Sequence, residues 1–528
     1  MVGQSEWKDI QPLEKRILCL IVLGLERIVL HHHRGLRHMF SCFQRDASPG
    51  GFREMLKIAN PLIISMASFT LMQFVDRVFL ARYSAEAIQA ALPAGILAFT
   101  LMSFFHALAG YSGAFVAQYH GAGFRVGCSR ATAQGISLAL ACTPLIWALI
   151  PVGRWLLLVS GHPPAVLAEE KIYFDILMWG GGLHVAGSAF STFFTGRGET
   201  RTAMHAAVAG NLVNVALDYV LIFGVCGFPR MGIAGAAWAT VAGAGVTVIF
   251  LAVRYFSPTL SRDYETRKFR LDRALMGRLL RFGAPSAIHM VLDVGSFAVF
   301  VMMTGRMGGI ALAASNIALS INNVAFQPLL ALHMAASILV GQYQGRRDSV
   351  LAERAGWSAM KIGWIYMAIV AVSFLVFPRA YIRLFTGVGI GLDSQALYAT
   401  ARWLMLMMAA WGMFDAVNLV LSGALKGAGD TRFSMIYSVA MGWGLWIPGN
   451  IWLVWKLEQI RQEPNGIPPW MHDGIVPIWL WMTVFVLVLA AGFVWRYRSG
   501  RWKSIVLIDP VPILLPPRIG ADALTVSE

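Results

Sequence analysis

Read for apolar runs and the polar breaks between them, the chain of 528 residues divides into twelve apolar segments. They lie near 57–80, 88–118, 132–152, 168–194, 202–225, 232–256, 279–304, 311–340, 354–377, 396–424, 433–455 and 476–496. About twenty helical residues, at about 1.5 Å each, cross a hydrocarbon core of about 30 Å. Within lipid a helix satisfies its own backbone hydrogen bonds. The pattern predicts an all-α polytopic membrane protein with twelve transmembrane helices.

Composition strengthens this reading. Hydrophobic residues make up 57% of the chain, charged residues only 13%, and the mean hydropathy is +0.61. Soluble domains carry about a quarter of their residues as charges. The formal net charge of +15 would suit a nucleic-acid binder, but its distribution does not. The basic residues occupy short connections: Arg125 and Arg130, Arg197 and Arg201, Arg346, Arg347 and Arg354, Arg496 to Lys503, and most densely Arg262 to Arg281. Every second connection is basic, as expected of cytoplasmic loops, and membrane lipids rather than nucleic acid are the expected partners. An even number of spans then places both termini in the cytoplasm, with the protein in the cell (inner) membrane.

Residues 1–51 read as a cytoplasmic extension with an amphipathic helix near Ile17 to Leu30, and 501–528 as a cytoplasmic tail. The "HHHRGLRH" stretch is read as basic surface without a metal. The five cysteines (Cys19, Cys42, Cys128, Cys142, Cys226) form no CxxC and no disulfide framework.

The chain repeats itself. "NPLI" from Asn60 matches "APSA" from Ala284, and "QYHG" from Gln118 matches "QYQG" from Gln342; both offsets are 224 (284 − 60, 342 − 118). "GRGETR" from Gly196 matches "GAGDTR" from Gly427, an offset of 231 (427 − 196). Six spans per half is an even number, so both halves keep one orientation. The expected architecture is two six-helix lobes related by a pseudo-two-fold axis along the membrane normal. An N-lobe over 52–256 and a C-lobe over 279–500 flank a basic cytoplasmic linker, 257–278.

Against this apolar background a few polar residues stand out. Asp76, Asp218, Asp293 and Asp415 fall inside spans. A charge at mid-helix costs roughly 2.5–3.5 kcal/mol on insertion scales, so such residues commonly face a cavity and have a function. Asp175, near a span end, reads as interfacial. Each buried aspartate has polar company on its own helix face. Asn211 and Asn214 precede Asp218, Gln73 precedes Asp76, His289 precedes Asp293, and Trp411 and Asn418 flank Asp415. An interhelical hydrogen bond is the ordinary alternative, worth about 0.6 kcal/mol in membranes. With no lysine or arginine clearly placed to neutralise the four aspartates, cation or proton handling is the stronger reading. The halves do not repeat these residues: Asp76 maps to Phe300, Asn214 to Leu445, and Asp415 back to His184. Two chemically distinct sites are expected.

No GxxxxGK[ST] phosphate loop, nucleophile–base pair or metal cluster is present, so neither an ATP-driven pump nor an enzyme is expected, and no cofactor. An ion gradient is the remaining energy source, and the chain is expected to work as a monomer.

The stretches "VDRVFLARYSAEAIQAA", "FFTGRGETR", "NLVNVALDYVLIFG" followed by "GIAGAAWAT", and "DAVNLVLSGALKGAGDTR" resemble the MATE (multidrug and toxic compound extrusion) transporters, most closely the NorM-like branch. The resemblance runs from about Phe52 to Tyr497. It implies an antiporter whose lobes form a V around a central cavity and which exports organic cations in exchange for Na+ or H+. By resemblance, Asp76, Asn214 and Asp218 form the N-lobe ion-coupling site, and Asp415 with Asp293 the C-lobe one. Na+ is implied at either set. Asp293 stands where a glutamate is usual, and Trp411 where a tyrosine is common. Gln73, Asn211, His289, Trp411 and Asn418 are the candidates for lining the substrate cavity. A lipid-linked-precursor flippase or an organic-anion exporter of the same two-lobe design is the alternative.

Overall fold

The computed structural model describes residues 48–307, 309–385, 394–462 and 475–508. The Ile17–Leu30 helix, the histidine stretch, Cys19, Cys42 and most of the C-terminal tail lie outside these. Among the described residues there is no strand. In chain order the helices are α1 (Phe52–Tyr83), α2 (Ala85–Gly110), α3 (Ser112–Gly121), α4 (Arg125–Ala148), α5 (Ile150–Val159), α6 (Pro164–Trp179), α7 (Gly181–Gly196), α8 (Thr200–Phe223) and α9 (Ile233–Tyr255). The short α10 (Pro258–Tyr264) follows. Then come α11 (Arg273–Gly305), α12 (Gly309–Gly345), α13 (Ser349–Val376), α14 (Pro378–Phe385), α15 (Ser394–Ala428), α16 (Thr431–Met441), α17 (Ile447–Gln462) and α18 (Ile475–Arg498).

Ten helices among the described residues are long and apolar enough to cross a membrane, and they coincide with ten of the twelve predicted spans. The other two, 168–194 and 433–455, fall on broken helices. The first bends at the glycine run Gly180–Gly182, between α6 and α7. The second carries a π-helical segment, Gly442–Trp446, between α16 and α17. Pro448 lies two residues beyond it, and a proline withdraws one donor from the helical ladder.

Local signals account for many boundaries. Ser84 ends α1, and its Oγ accepts from Ala87 N at 2.9 Å to cap α2. Asp272 caps α11 through Ala274 N and Leu275 N, both 3.0 Å. Asp348 caps α13 through Leu351 N at 2.9 Å. The basic linker is packed rather than free. Ser129 donates to the Tyr264 carbonyl at 2.5 Å, and Gln134 donates to the Arg270 carbonyl at 2.9 Å.

Three apolar cores form. One is drawn from residues between Leu80 and Ala287, with Leu507 and Ile508 added. The other two come from the second half, and one of them also takes Met55, Ile58, Ala59 and Leu62 from the start of α1. The first helix therefore begins in one core and runs out along α8 and α2.

The repeated motifs meet. Gln118 Nε2 donates to the Gly427 carbonyl at 3.0 Å, and Gln342 Nε2 donates to the Gly196 carbonyl at 2.9 Å. Gly121 lies directly against the Gln342 carbonyl, and Gly345 against the Gln118 carbonyl; neither place has room for a Cβ. Nearby, Tyr111 donates to the Lys426 carbonyl at 3.1 Å. "QYHG" and "QYQG" thus hold one another's end of the fold reciprocally.

Candidate cation and cargo sites

The first cluster is built by α1, α6, α8 and α9. Asn214 and Asp218 lie one turn apart on α8 and are 1% and 0% exposed. Asn214 Nδ2 donates to Thr240 Oγ1 on α9 at 3.3 Å, which leaves its carbonyl oxygen free. Asp76 comes in from α1, near enough to interact electrostatically with Asp218. Tyr173 on α6 lies in the field of both carboxylates and engages Thr240. Four buried oxygens here have no hydrogen-bond donor: Oδ1 of Asp76, Oδ1 of Asn214 and both of Asp218. A buried polar group left unpaired costs about 1–3 kcal/mol, more if charged. Such a nest of oxygens is suited to a hard cation or to a proton shared between carboxylates.

Neighbouring candidates are placed differently. Asn211 Nδ2 donates to Ser68 Oγ on α1 at 3.0 Å, a bond that ties α8 to α1. Gln73 is exposed on α1. Arg77, next to Asp76, reaches the field of both Asp76 and Tyr173.

The second cluster is built by α11, α12 and α15. His289 Nε2 meets Asp293 Oδ2 at 3.1 Å, and 56% of the Asp293 side chain is exposed, against 7% for His289. Asn418 Nδ2 donates to Asp415 Oδ1 at 3.2 Å. Asp293 interacts electrostatically with Asp415 and with the ammonium of half-buried Lys426. His333 is held by the Leu419 carbonyl through Nδ1 at 2.8 Å. Trp411 is 3% exposed and its indole N–H has no acceptor. The π-helical segment supports this cluster: Trp443 Nε1 donates to the Leu292 carbonyl at 3.2 Å, one residue before Asp293. Ser296 Oγ donates to the Asp293 carbonyl at 2.8 Å.

Two basic residues correct the sequence-based picture of unneutralised aspartates: Lys426 lies near Asp293, and Arg77 near Asp76. Arg77 was legible as the next residue in the chain. Lys426 was not, being 133 positions from Asp293 (426 − 293). A stacked pair, His106 on α2 and His184 on α7 with ring centroids 5.0 Å apart, was also missed. Its one signal was that Asp415 maps onto His184 across the repeat. Asp175, expected at an interface, is held by Arg154 through Nε at 2.9 and 3.1 Å. Met405 and Met408 are buried in an apolar core, so they pack rather than line a cavity. Cys128, Cys142 and Cys226 are unbridged. Among the described residues no group of three or more His, Cys, Asp or Glu is placed to hold a metal ion.

Ten apolar helices of membrane-crossing length among the described residues define a multi-pass membrane protein. The MatE family model matches residues 61–220 and 285–452, which begin 224 residues apart (285 − 61), the offset seen in the internal repeat. The chain belongs to the MatE family, whose members are transporters and not enzymes. It is 28% identical over 455 residues to a probable multidrug resistance protein NorM of Bradyrhizobium diazoefficiens, covering 85% of this chain and 93% of that protein. It shares its fold with a multidrug resistance MATE family transporter of the MOP superfamily solved in an outward-facing conformation (TM-score 0.76, 20% identity, 87% of this chain, 98% of that one). A MOP superfamily transporter from Pyrococcus furiosus, described as having a binding pocket of reversed polarity, is similar to the same extent (TM-score 0.75, 20% identity, 87% and 98%).

Proposed function

We propose that this chain is a secondary active exporter of organic cations and other xenobiotics, driven by inward movement of Na+ or H+ through alternating access. The observation that carries the reading is the donor-less oxygen nest of Asp76, Asn214 and Asp218. In this reading twelve spans form two six-helix lobes, 52–256 and 279–500, about a pseudo-two-fold axis along the membrane normal. Both termini and the linker 257–278 face the cytoplasm of the inner membrane, and the protein works as a monomer. The coupling ion occupies the oxygens of Asp76, Asn214 and Asp218, while Asp293 and Asp415 form a second ion-coupling site. Gln73, Asn211, His289, Trp411 and Asn418 face or support the cargo path. Ion uptake at the carboxylates changes which state of the lobes is favoured, and cargo is released as the ion is taken up.

A second reading rests on Lys426. An ammonium beside Asp293 would favour cargo carrying a carboxylate or a phosphate, as an organic-anion exporter or a lipid-linked-precursor flippase requires.

Proteoliposomes separate these. A fluorescent organic cation is followed under a Na+ gradient alone and under a pH gradient alone, with Asp218→Asn beside the wild type. Transport under one gradient that is lost in the variant identifies the coupling ion. No movement of the cation under either, with movement of an organic anion, replaces the first reading by the second.

A further inference from the structure

Beyond α18 the chain passes from one apolar core into another within a few residues. Trp502, in a short 3-10 turn over Arg501–Ser504, is fully buried in the same core as Tyr497. The two rings stack with centroids 4.9 Å apart and planes 12° from parallel, and the Trp502 indole N–H donates to the Tyr497 carbonyl at 2.9 Å. Lys503 Nζ meets Glu353 Oε2 at 2.5 Å. A few residues on, Leu507 and Ile508 are buried in the other core, the one otherwise drawn from Leu80 to Ala287. The backbone is extended at Ile505, so side chains alternate. Ser504 and Val506 are exposed, whereas Ile505 and Leu507 point inward.

The motifs of the second repeat hold this stretch. Gln344, third residue of "QYQG", donates through Nε2 to the Lys503 carbonyl at 2.8 Å and to the Ile505 carbonyl at 3.4 Å. Ile505 and Leu507 pack on Gly429, third residue of "GAGDTR": Cγ2 and Cδ1 lie 3.1 and 3.6 Å from where a Cβ would stand. These are the same two motifs that exchange hydrogen bonds with the first half through Gln342 and Gly427. His120 stands at the position of Gln344 in the first repeat, at the offset of 224 (344 − 120), so the residue that grips the stretch is one the repeat does not share. The two ends are held unequally. Trp502 has a ring stack and a hydrogen bond, but Val506, Leu507 and Ile508 make no hydrogen bond among the described residues. Their end leaves its seat by giving up apolar contacts alone, the property of a segment that opens locally before the rest of a fold.

We propose that Ile505–Ile508 is a strap supplied by the chain itself. Seated, it joins the two cores and keeps the face with the reciprocal glutamine contacts shut; it unseats, hinged at Trp502, before the halves separate there. The inference rests on the alternating-access reading and makes the strap an autoinhibitory contact within that cycle.

The test uses the full-length protein on a background lacking the native cysteines, spin-labelled at Arg125→Cys and Arg346→Cys, one in each half, with separations read by pulsed electron resonance. Leu507→Ser with Ile508→Ser should raise the ratio of long to short separations by about tenfold or more, the factor that burial of one leucine side chain corresponds to. Gln344→Met, which keeps the shape and removes the donor, should raise it by about twofold or more. Val506→Ser, at an outward-facing position, leaves it unchanged. An unchanged ratio in the Leu507→Ser, Ile508→Ser protein overturns the proposal, and so does an equal rise in Val506→Ser. The distance readout needs no cargo. A shifted ratio in a protein that moves neither cation nor anion keeps the strap and removes the transport reading, whereas cargo movement with an unshifted ratio does the reverse. Should the paired variant fail to fold, Leu507→Ala alone is scored the same way.

Discussion

The reciprocal glutamine contacts allow a quantitative test of alternating access. Gln118 and Gln342 each donate a side-chain N–H to a backbone carbonyl of the opposite half, at 3.0 and 2.9 Å, and both bonds are buried. If the halves separate on this face during transport, both bonds must break. A hydrogen bond of this kind contributes about 0.5–1.5 kcal/mol net, so the pair contributes about 1–3 kcal/mol to the closed arrangement. That corresponds to a change of about 5- to 150-fold in the closed-to-open ratio. Alanine at either position removes one bond and leaves its partner carbonyl buried without a donor. The carbonyl regains water once the face opens, so both effects favour opening. Spin labels at Arg125→Cys and Arg346→Cys, on a background lacking the native cysteines, report the separation by pulsed electron resonance. Gln118→Ala and Gln342→Ala should each raise the long-distance population, and the double variant should raise it furthest. Identical distance distributions in the wild type and the double variant would refute the idea that these bonds hold the face shut.

Other expectations follow from named contacts. Gly121→Ala and Gly345→Ala place a Cβ against the carbonyls of Gln342 and Gln118, and each should lower stability by about 1–3 kcal/mol. Gly277→Ala, on the exposed face of α11 with open space around it, should instead raise stability by about 0.5–1 kcal/mol. Both are read from detergent melts, and a loss at Gly277 equal to that at Gly121 would contradict the packing argument. Trp443→Phe deletes the N–H that holds the Leu292 carbonyl, so transport should fall several-fold while expression stays near wild type. Unchanged transport would show that the π-helical segment does not position Asp293. Lys426→Gln should shift preference toward cationic cargo in the proteoliposome assay. A shift toward anions would contradict the charge argument.

Several site features were readable along single helices. The i, i+4 relation of His289 and Asp293 appears as a 3.1 Å contact, and that of Asn214 and Asp218 as neighbouring buried oxygens, because one helical turn dictates both. Asn211 shares that face, yet its amide is spent on Ser68 of α1. One-dimensional spacing gives the face of a helix but not what lies across from it. The repeat showed that "QYHG" and "QYQG" correspond, though not that each donates to the glycine of the other's late motif, 309 positions away in one case.

By itself, then, the sequence determined that the chain crosses the membrane many times, where most crossings lie, and which polar residues share faces with the four aspartates inside spans. These are local properties: a span needs only its own apolar length, because its backbone bonds close within the segment. Tertiary structure decided which faces meet. It brought Lys426 to Asp293, aimed Asp76 at Asp218, packed the basic linker on α4, and broke two predicted spans at Gly180–Gly182 and Gly442–Trp446. Those outcomes depend on side chains far apart in the chain competing for the same space and the same hydrogen bonds, and hydropathy along one segment contains no record of that competition.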